Sequence, residues 1–141
     1  MSYAISAALQ SAVFTAIADD VAVGNAVGDA VYDALPSGAL PNMYVSLGPE
    51  TVRVADDKTG GGAVHSFVVS VVTEAPGFLA AKQVAGAVCD VLHDADLMLD
   101  RGRLVSLRFE RARAVKIDKG TGRRIDLTFR ARTEDNSSTI I

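Results

Sequence analysis

Leu104-Val105-Ser106-Leu107-Arg108-Phe109-Glu110-Arg111-Ala112-Arg113-Ala114-Val115-Lys116-Ile117, then Asp118-Lys119-Gly120-Thr121-Gly122, then Arg123-Arg124-Ile125-Asp126-Leu127-Thr128-Phe129-Arg130-Ala131-Arg132, is the stretch that decides the fold. Two runs of period-two alternation flank a Gly-rich break, the pattern of a β-hairpin. Val105, Leu107 and Phe109 alternate on one face, and Ile125, Leu127 and Phe129 form the apolar set of the returning run. Unbroken pairing would carry Arg111 and Arg113 onto that apolar face, opposite Phe129 and Leu127. Burying two unpaired guanidiniums is expensive. One extra residue near Glu110-Arg111 removes the conflict. Such a β-bulge pairs Ala114 with Ile125, Ala112 with Leu127 and Phe109 with Phe129, and turns Arg111 and Arg113 outward. Fourteen extended residues span roughly 46 Å, against a radius of gyration of about 14 Å for a domain this size. A long projecting C-terminal hairpin is therefore expected.

The hairpin is also where the charge lies. Residues 101–132 hold 11 Lys/Arg and 3 Asp/Glu, net +8, while residues 1–100 hold 3 and 12, net −9. The whole chain is −3. Regions this distinct in sign are built to touch copies of themselves or something anionic. The expected interface or lumen residues are Arg108, Arg111, Arg113, Lys116, Arg124, Arg130 and Arg132.

Upstream, Ile5, Leu9, Val13 and Ile17 repeat at a spacing of four and predict a helix over 2–19, capped by Ser2. Residues 21–29, with Gly24 and Gly28, read as a short helical turn or loop. A short strand is expected over Ala30–Leu35, ended by Pro36. Met43–Leu47 reads as a strand that Gly48-Pro49 interrupts, with Thr51–Ala55 extended again and Asp56–Gly62 a loop. His65–Val72, rich in Val, reads as the strongest central strand. A second amphipathic helix spans 77–93, with Leu79, Ala80, Val84, Val88, Val91 and Leu92 on its apolar side. This order predicts an α+β fold: a mostly antiparallel sheet covered on one face by two amphipathic helices. The 141 residues are expected to form one domain over 1–135, with 136–141 a flexible tail.

The inventory for chemistry is thin. His93 and Cys89 are four apart on a helix near Asp90, Asp94 and Asp96, but no second pair completes a metal site, and no metal or cofactor is expected. Lys58-Thr59-Gly60-Gly61-Gly62 has its glycines after the lysine, the wrong order for a phosphate loop. No serine has a convincing His partner, so an enzyme is not expected. No apolar run reaches the ~18 residues of a membrane span, the first residues lack the basic region of a signal peptide, and a lone cysteine fits a reducing cytoplasm. With no Trp and few aromatics, the chain lacks the stacking platforms of a nucleobase binder.

Several local sequences, in order, resemble the tail terminator, or tail completion, proteins of long-tailed phages. They are Met1-Ser2-Tyr3-Ala4-Ile5, Val31-Tyr32-Asp33 followed by Pro36, Tyr44-Val45-Ser46-Leu47-Gly48, Thr73-Glu74-Ala75, Arg103-Leu104-Val105, and Arg123-Arg124-Ile125-Asp126-Leu127-Thr128-Phe129-Arg130. The versions in alphaproteobacterial prophages and gene transfer agents are especially similar. The resemblance implies a six-membered homo-oligomeric ring that caps the tail tube and ends its polymerisation. That ring would join the tube protein to the head connector proteins and pass DNA through its lumen without sequence-specific binding. The implied location is the head-proximal end of a virion tail, reached from the bacterial cytoplasm, with no membrane partner. Another head–tail joining or tube subunit of similar fold is the alternative, and a small nucleic-acid-binding module is a further one.

Overall fold

Ile5, Leu9, Val13 and Ile17 recur every fourth residue, and in the computed structural model all four are buried along α1 (Ser6–Ala18). The structure describes residues 3–55, 61–117 and 122–135; the expected Ser2 cap, the 56–60 loop, the 118–121 turn and the 136–141 tail lie outside them. No side chain caps α1 at Ile5. The segment expected as a turn is a true helix, α2 (Val21–Val27), because the Asp20 carboxylate accepts the Val23 N–H at 3.0 Å and satisfies one of its first donors. Three helices are therefore present where two were expected.

The strands are β1 (Val31–Tyr32), β2 (Met43–Val54), β3 (Gly61–Thr73), β4 (Arg103–Lys116) and β5 (Arg123–Asp135), with α3 (Leu79–Leu92) between β3 and β4. They form one mixed sheet in the order β1-β2-β3-β5-β4. β1 pairs with β2 in parallel and the other pairs are antiparallel. The fold is α+β. β5 fills the space between β3 and β4, so β3-α3-β4 is a split crossover.

β2 does not break at Gly48-Pro49. It absorbs them in a register shift between Leu47, opposite Val69, and Glu50, opposite Phe67. Pro49 has no N–H to give a ladder, so a bulge is where the strand tolerates it. The shift has a second effect: it brings Glu50 to the same side as Leu47.

The core joins Leu9, Val13 and Ile17 of α1 and Val84, Val88 and Leu92 of α3 to Val69, Val71, Ile125, Leu127 and Phe129. On α3 the buried stripe is Ala81, Val84, Ala85, Val88 and Leu92. Leu79, expected on that stripe, is 72% exposed. Two residues of helix rotate about 200°, which sets Leu79 opposite Ala81. Across the sheet, Phe67 stacks on Phe129 with ring centres 5.7 Å apart, and Phe109 meets Phe129 edge-on at 5.8 Å.

The β4–β5 register carries the bulge that the arginines demand. Phe109 faces Phe129, Ala112 faces Leu127 and Ala114 faces Ile125, with the shift between Phe109 and Arg111. A second shift, between Leu104 and Ser106, was not expected. The register also corrects the picture of an arm standing clear of the sheet. Each residue of β5 from Arg123 to Asp135 has a partner on β3. β4 and β5 have 14 and 13 residues, and β2 and β3 have 12 and 13, so strands of this length lie side by side without leaving the sheet.

Candidate functional site

β4 is the outer strand of the sheet, and it is divided in two. Its first half is anchored: Leu104 and Leu107 are buried. The Asp94 N–H donates to the Leu107 carbonyl at 2.7 Å, and the Phe109 N–H donates to His93 Nδ1 at 3.0 Å. These bonds occupy the free edge of β4, a position that otherwise invites pairing. Asp94 reaches this place with φ of +59°, a conformation that Asp tolerates better than most residues. From Arg108 to Ala114 every residue is exposed. No described strand other than β5 pairs with this half.

Register parity sorts the expected contact residues. Arg108 lies opposite Arg130, Arg111 opposite Thr128, Arg113 opposite Asp126, and Arg132 opposite Ser106. These residues and Arg124 share the face away from Leu127 and Phe129, so six of the seven expected residues come together. Lys116 does not. It pairs with Arg123, which has the parity of Ile125, and so belongs to the opposite face.

The six are not electrically equivalent. Arg124 Nε donates to Asp126 Oδ1 at 3.0 Å, and Asp126 also accepts from Ser70 Oγ at 2.7 Å, so this pair is largely satisfied within the chain. Arg132 donates to the Ala55 carbonyl at 3.2 Å. Arg111 has only a long contact to Glu110, 3.4 Å, between two exposed groups, which holds it weakly. Arg108, Arg113 and Arg130 have no acceptor among the described residues, and Arg108 and Arg130 sit cross-strand as like charges. Such a pair is destabilising in isolation and is relieved by an anionic partner. Beside these side chains a shallow groove runs over Val68, Ser70 and Thr128, walled by Arg111, Arg113 and Arg124. The arrangement offers exposed, unneutralised guanidiniums that suit carboxylates or phosphates. In the groove, the Ser70 hydroxyl and the Asp126 carboxylate are bonded to each other, and Asp126 also to Arg124.

The groups raised as possible chemistry have structural partners. His93 holds the β4 edge through Nδ1, leaving Nε2 3.4 Å from Asp94. Burial pushes the Cys89 thiol up, with Asp90 adding to the shift, away from the reactive thiolate. Among the described residues no three His, Cys, Asp or Glu side chains are grouped to hold a metal ion. Gly61 and Gly62 belong to β3, and the rest of the Gly-rich stretch lies outside the described residues.

One polar network was not anticipated. His65 is fully buried, its Nδ1 3.1 Å from Glu50 and its Nε2 3.0 Å from the Thr133 hydroxyl. A carboxylate only accepts, so Nδ1 carries the proton. Glu50 also accepts from Tyr3 at 2.6 Å and Ser6 at 2.8 Å. The network ties the start of α1 to β2, β3 and β5. Its one sequence signal was the Gly-Pro bulge that carries Glu50 inward.

Comparison with known proteins gives this geometry a context. The model of the family described as tail completion protein gp17 matches residues 11–134, most of the chain. The chain belongs to that family. The tail completion family is structural, not enzymatic, in keeping with a site made of contact groups. No curated protein matches. A solved chain from the virion of a native gene transfer agent particle is 57% identical, with a TM-score of 0.90 over 94% of this chain and 99% of that one. At that identity the likeness extends to a virion component of a phage-like particle.

Proposed function

We propose that this tail completion protein forms a ring, six subunits round, that caps the tail tube of a phage-like particle. The ring ends tube growth by occupying the surface that the next tube ring would use, and it joins the tail to the head connector, with DNA passing through the lumen. The observation that carries this reading is the pairing of the family match over residues 11–134 with a basic, half-uncovered edge strand. A subunit acting alone has no use for seven consecutive exposed residues on an outer strand. A ring subunit needs such a surface for its neighbours.

The helices and the buried aromatic ladder lie on one side of the sheet in this reading, leaving the arginine face for contact. Arg108, Arg111, Arg113 and Arg130, the least neutralised of the group, meet a neighbour or the DNA phosphates. Lys116 stands apart from that surface. The open outer edge of the distal half of β4, rather than a free hairpin arm, supplies the contact.

Electron microscopy of particles made without this protein tests the proposal. Tails of uncontrolled length, or tails detached from heads, are expected. Normal tailed particles overturn it. Sedimentation of the purified chain separates a terminator from a tube subunit, since filaments identify the latter.

A further inference from the structure

The two edges of the sheet carry opposite charge. β4 is one edge, with Arg108, Arg111 and Arg113 exposed on its uncovered half. β1 is the other edge. Asp29 and Asp33 flank β1, and Asp19 ends α1, the helix whose Gln10 hydrogen-bonds Asp33; all three carboxylates are exposed. Residues 1–52 contain five acidic side chains and no Lys or Arg. Of these five, Glu50 is engaged by His65 and Ser6, and Asp20 caps α2. Asp19, Asp29 and Asp33 have no cation among the described residues, Asp33 having only a hydrogen bond from Gln10.

Distance keeps these surfaces apart within one chain. Four strand spacings separate β1 from β4, about 19 Å. That is more than twice the screening length of about 8 Å at physiological salt. Neither edge neutralises the other in its own subunit.

The apolar groups match as well. Val21, 76% exposed, and Leu35, 50% exposed, stand beside the acidic residues. Phe109, at 36% exposure, and the exposed Ala112 and Ala114 lie along the same uncovered half of β4, on the face opposite the arginines. Each edge thus presents exposed apolar side chains as well as charged ones, a mixture that protein interfaces use.

We propose that the distal half of β4 of one copy docks on the α1–α2–β1 corner of the next. The inference rests on the ring reading above and specifies its subunit contact. Docking leaves the second copy's own β4 free, so the contact is head-to-tail and closes into a ring when the rotation allows. A second acidic strip, Asp90 and Asp96 with Asp100, lies on α3 and the segment leading into β4. Because that segment hydrogen-bonds to β4 through Asp94, the strip belongs to the β4 edge itself. Arginines reaching it on a neighbour would make a two-fold contact that stops at dimers.

The test uses producer cells lacking the native chain and reads complete, DNA-filled tailed particles. One variant is R108E/R111E/R113E and the other is D19K/D29K/D33K; circular dichroism checks that each is folded. Either alone is expected to lower the particle yield about tenfold or more, since like charges then meet across the contact. Co-expressing the two, or joining all six substitutions in one chain, restores the yield to within about threefold, because each altered edge again finds its opposite. Folded single variants without effect, or no rescue by co-expression, overturn the inference. Rescue of the first variant by D90K/D96K instead of D19K/D29K/D33K also overturns it, assigning the contact to the second strip. If cells without the chain already make complete particles, it is the ring reading that fails.

Discussion

β4 and β5 are neighbours of nearly equal length with the same two-residue alternation, and they fare differently. β5 lies between β3 and β4, with Ile125, Leu127, Phe129 and Ala131 buried in the core. β4 buries only Leu104 and Leu107, and beyond them it is open to solvent. Alternation reports which residues share a face. Burial depends on what lies against that face. An interior strand meets helices and two ladders, whereas an edge strand meets one ladder and whatever comes from outside the chain. The same pattern therefore builds a core on one strand and an exposed face on the next.

The sharpest way to break this contrast is to shorten the two facing phenylalanines separately. Phe129→Ala, at a site with no exposure, is expected to cost about 3–5 kcal/mol in denaturant unfolding. Phe109→Ala is expected to cost less than about half of that, since its ring is partly in water already. Equal losses would mean that β4 is as much a core strand as β5.

Next in size is the entry to β4. Gly102 has φ of +67°, and an added Cβ would lie 2.4 Å from the Glu134 carbonyl oxygen and 2.3 Å from the Ile5 side chain. Gly102→Ala combines backbone strain with a collision against β5 and is expected to cost roughly 2–3 kcal/mol. Thermal unfolding of the purified chain checks it, and an unchanged midpoint would mean that β4 starts elsewhere.

Thr133→Val tests the anchored side of the contrast. It removes the hydroxyl that meets His65 Nε2 inside the protein, and is expected to cost about 1–3 kcal/mol for the orphaned ring nitrogen. No loss would mean that the network contributes nothing to holding β5 against β3.

The smallest expected effect is Arg113→Glu, within about 0.5 kcal/mol of wild-type stability, because an exposed side chain without a partner leaves little behind. A large loss of stability would place Arg113 in the core and refute the bulge.

Much of the fold was legible in the residues. Four apolar side chains spaced by four predicted the buried side of α1. The cost of burying Arg111 and Arg113 predicted a bulge between Phe109 and Arg111, and with it the facing of Ala112 on Leu127. Other features depended on neighbours distant in sequence. Leu79 fits an apolar list yet lies opposite the buried stripe of α3, because the helix starts there and its rotation is set by packing. α2 needed Asp20 to cap it. Gly48-Pro49 looked like a stop, but with β3 alongside the strand passes through it as a bulge. His65 and Glu50 are fifteen residues apart and meet only because that bulge turns Glu50 inward. Of the candidate site, the arginines were legible by type. The separation of Arg124 and Arg132, bonded within the chain, from Arg108 and Arg113, without an acceptor among the described residues, was not.

By itself the sequence determined the local periods, the bulge, the concentration of positive charge and the family of tail completion proteins to which the chain belongs. These follow from adjacent residues and from what an extended or helical backbone does with them. Only the tertiary structure decided that β5 lies inside the sheet and β4 at its edge, that the acidic corner stands at the opposite edge, and that Lys116 is off the arginine face. Strand order is a long-range choice, set by which surfaces bury the most apolar area together, and period-two alternation is the same at every position in a sheet.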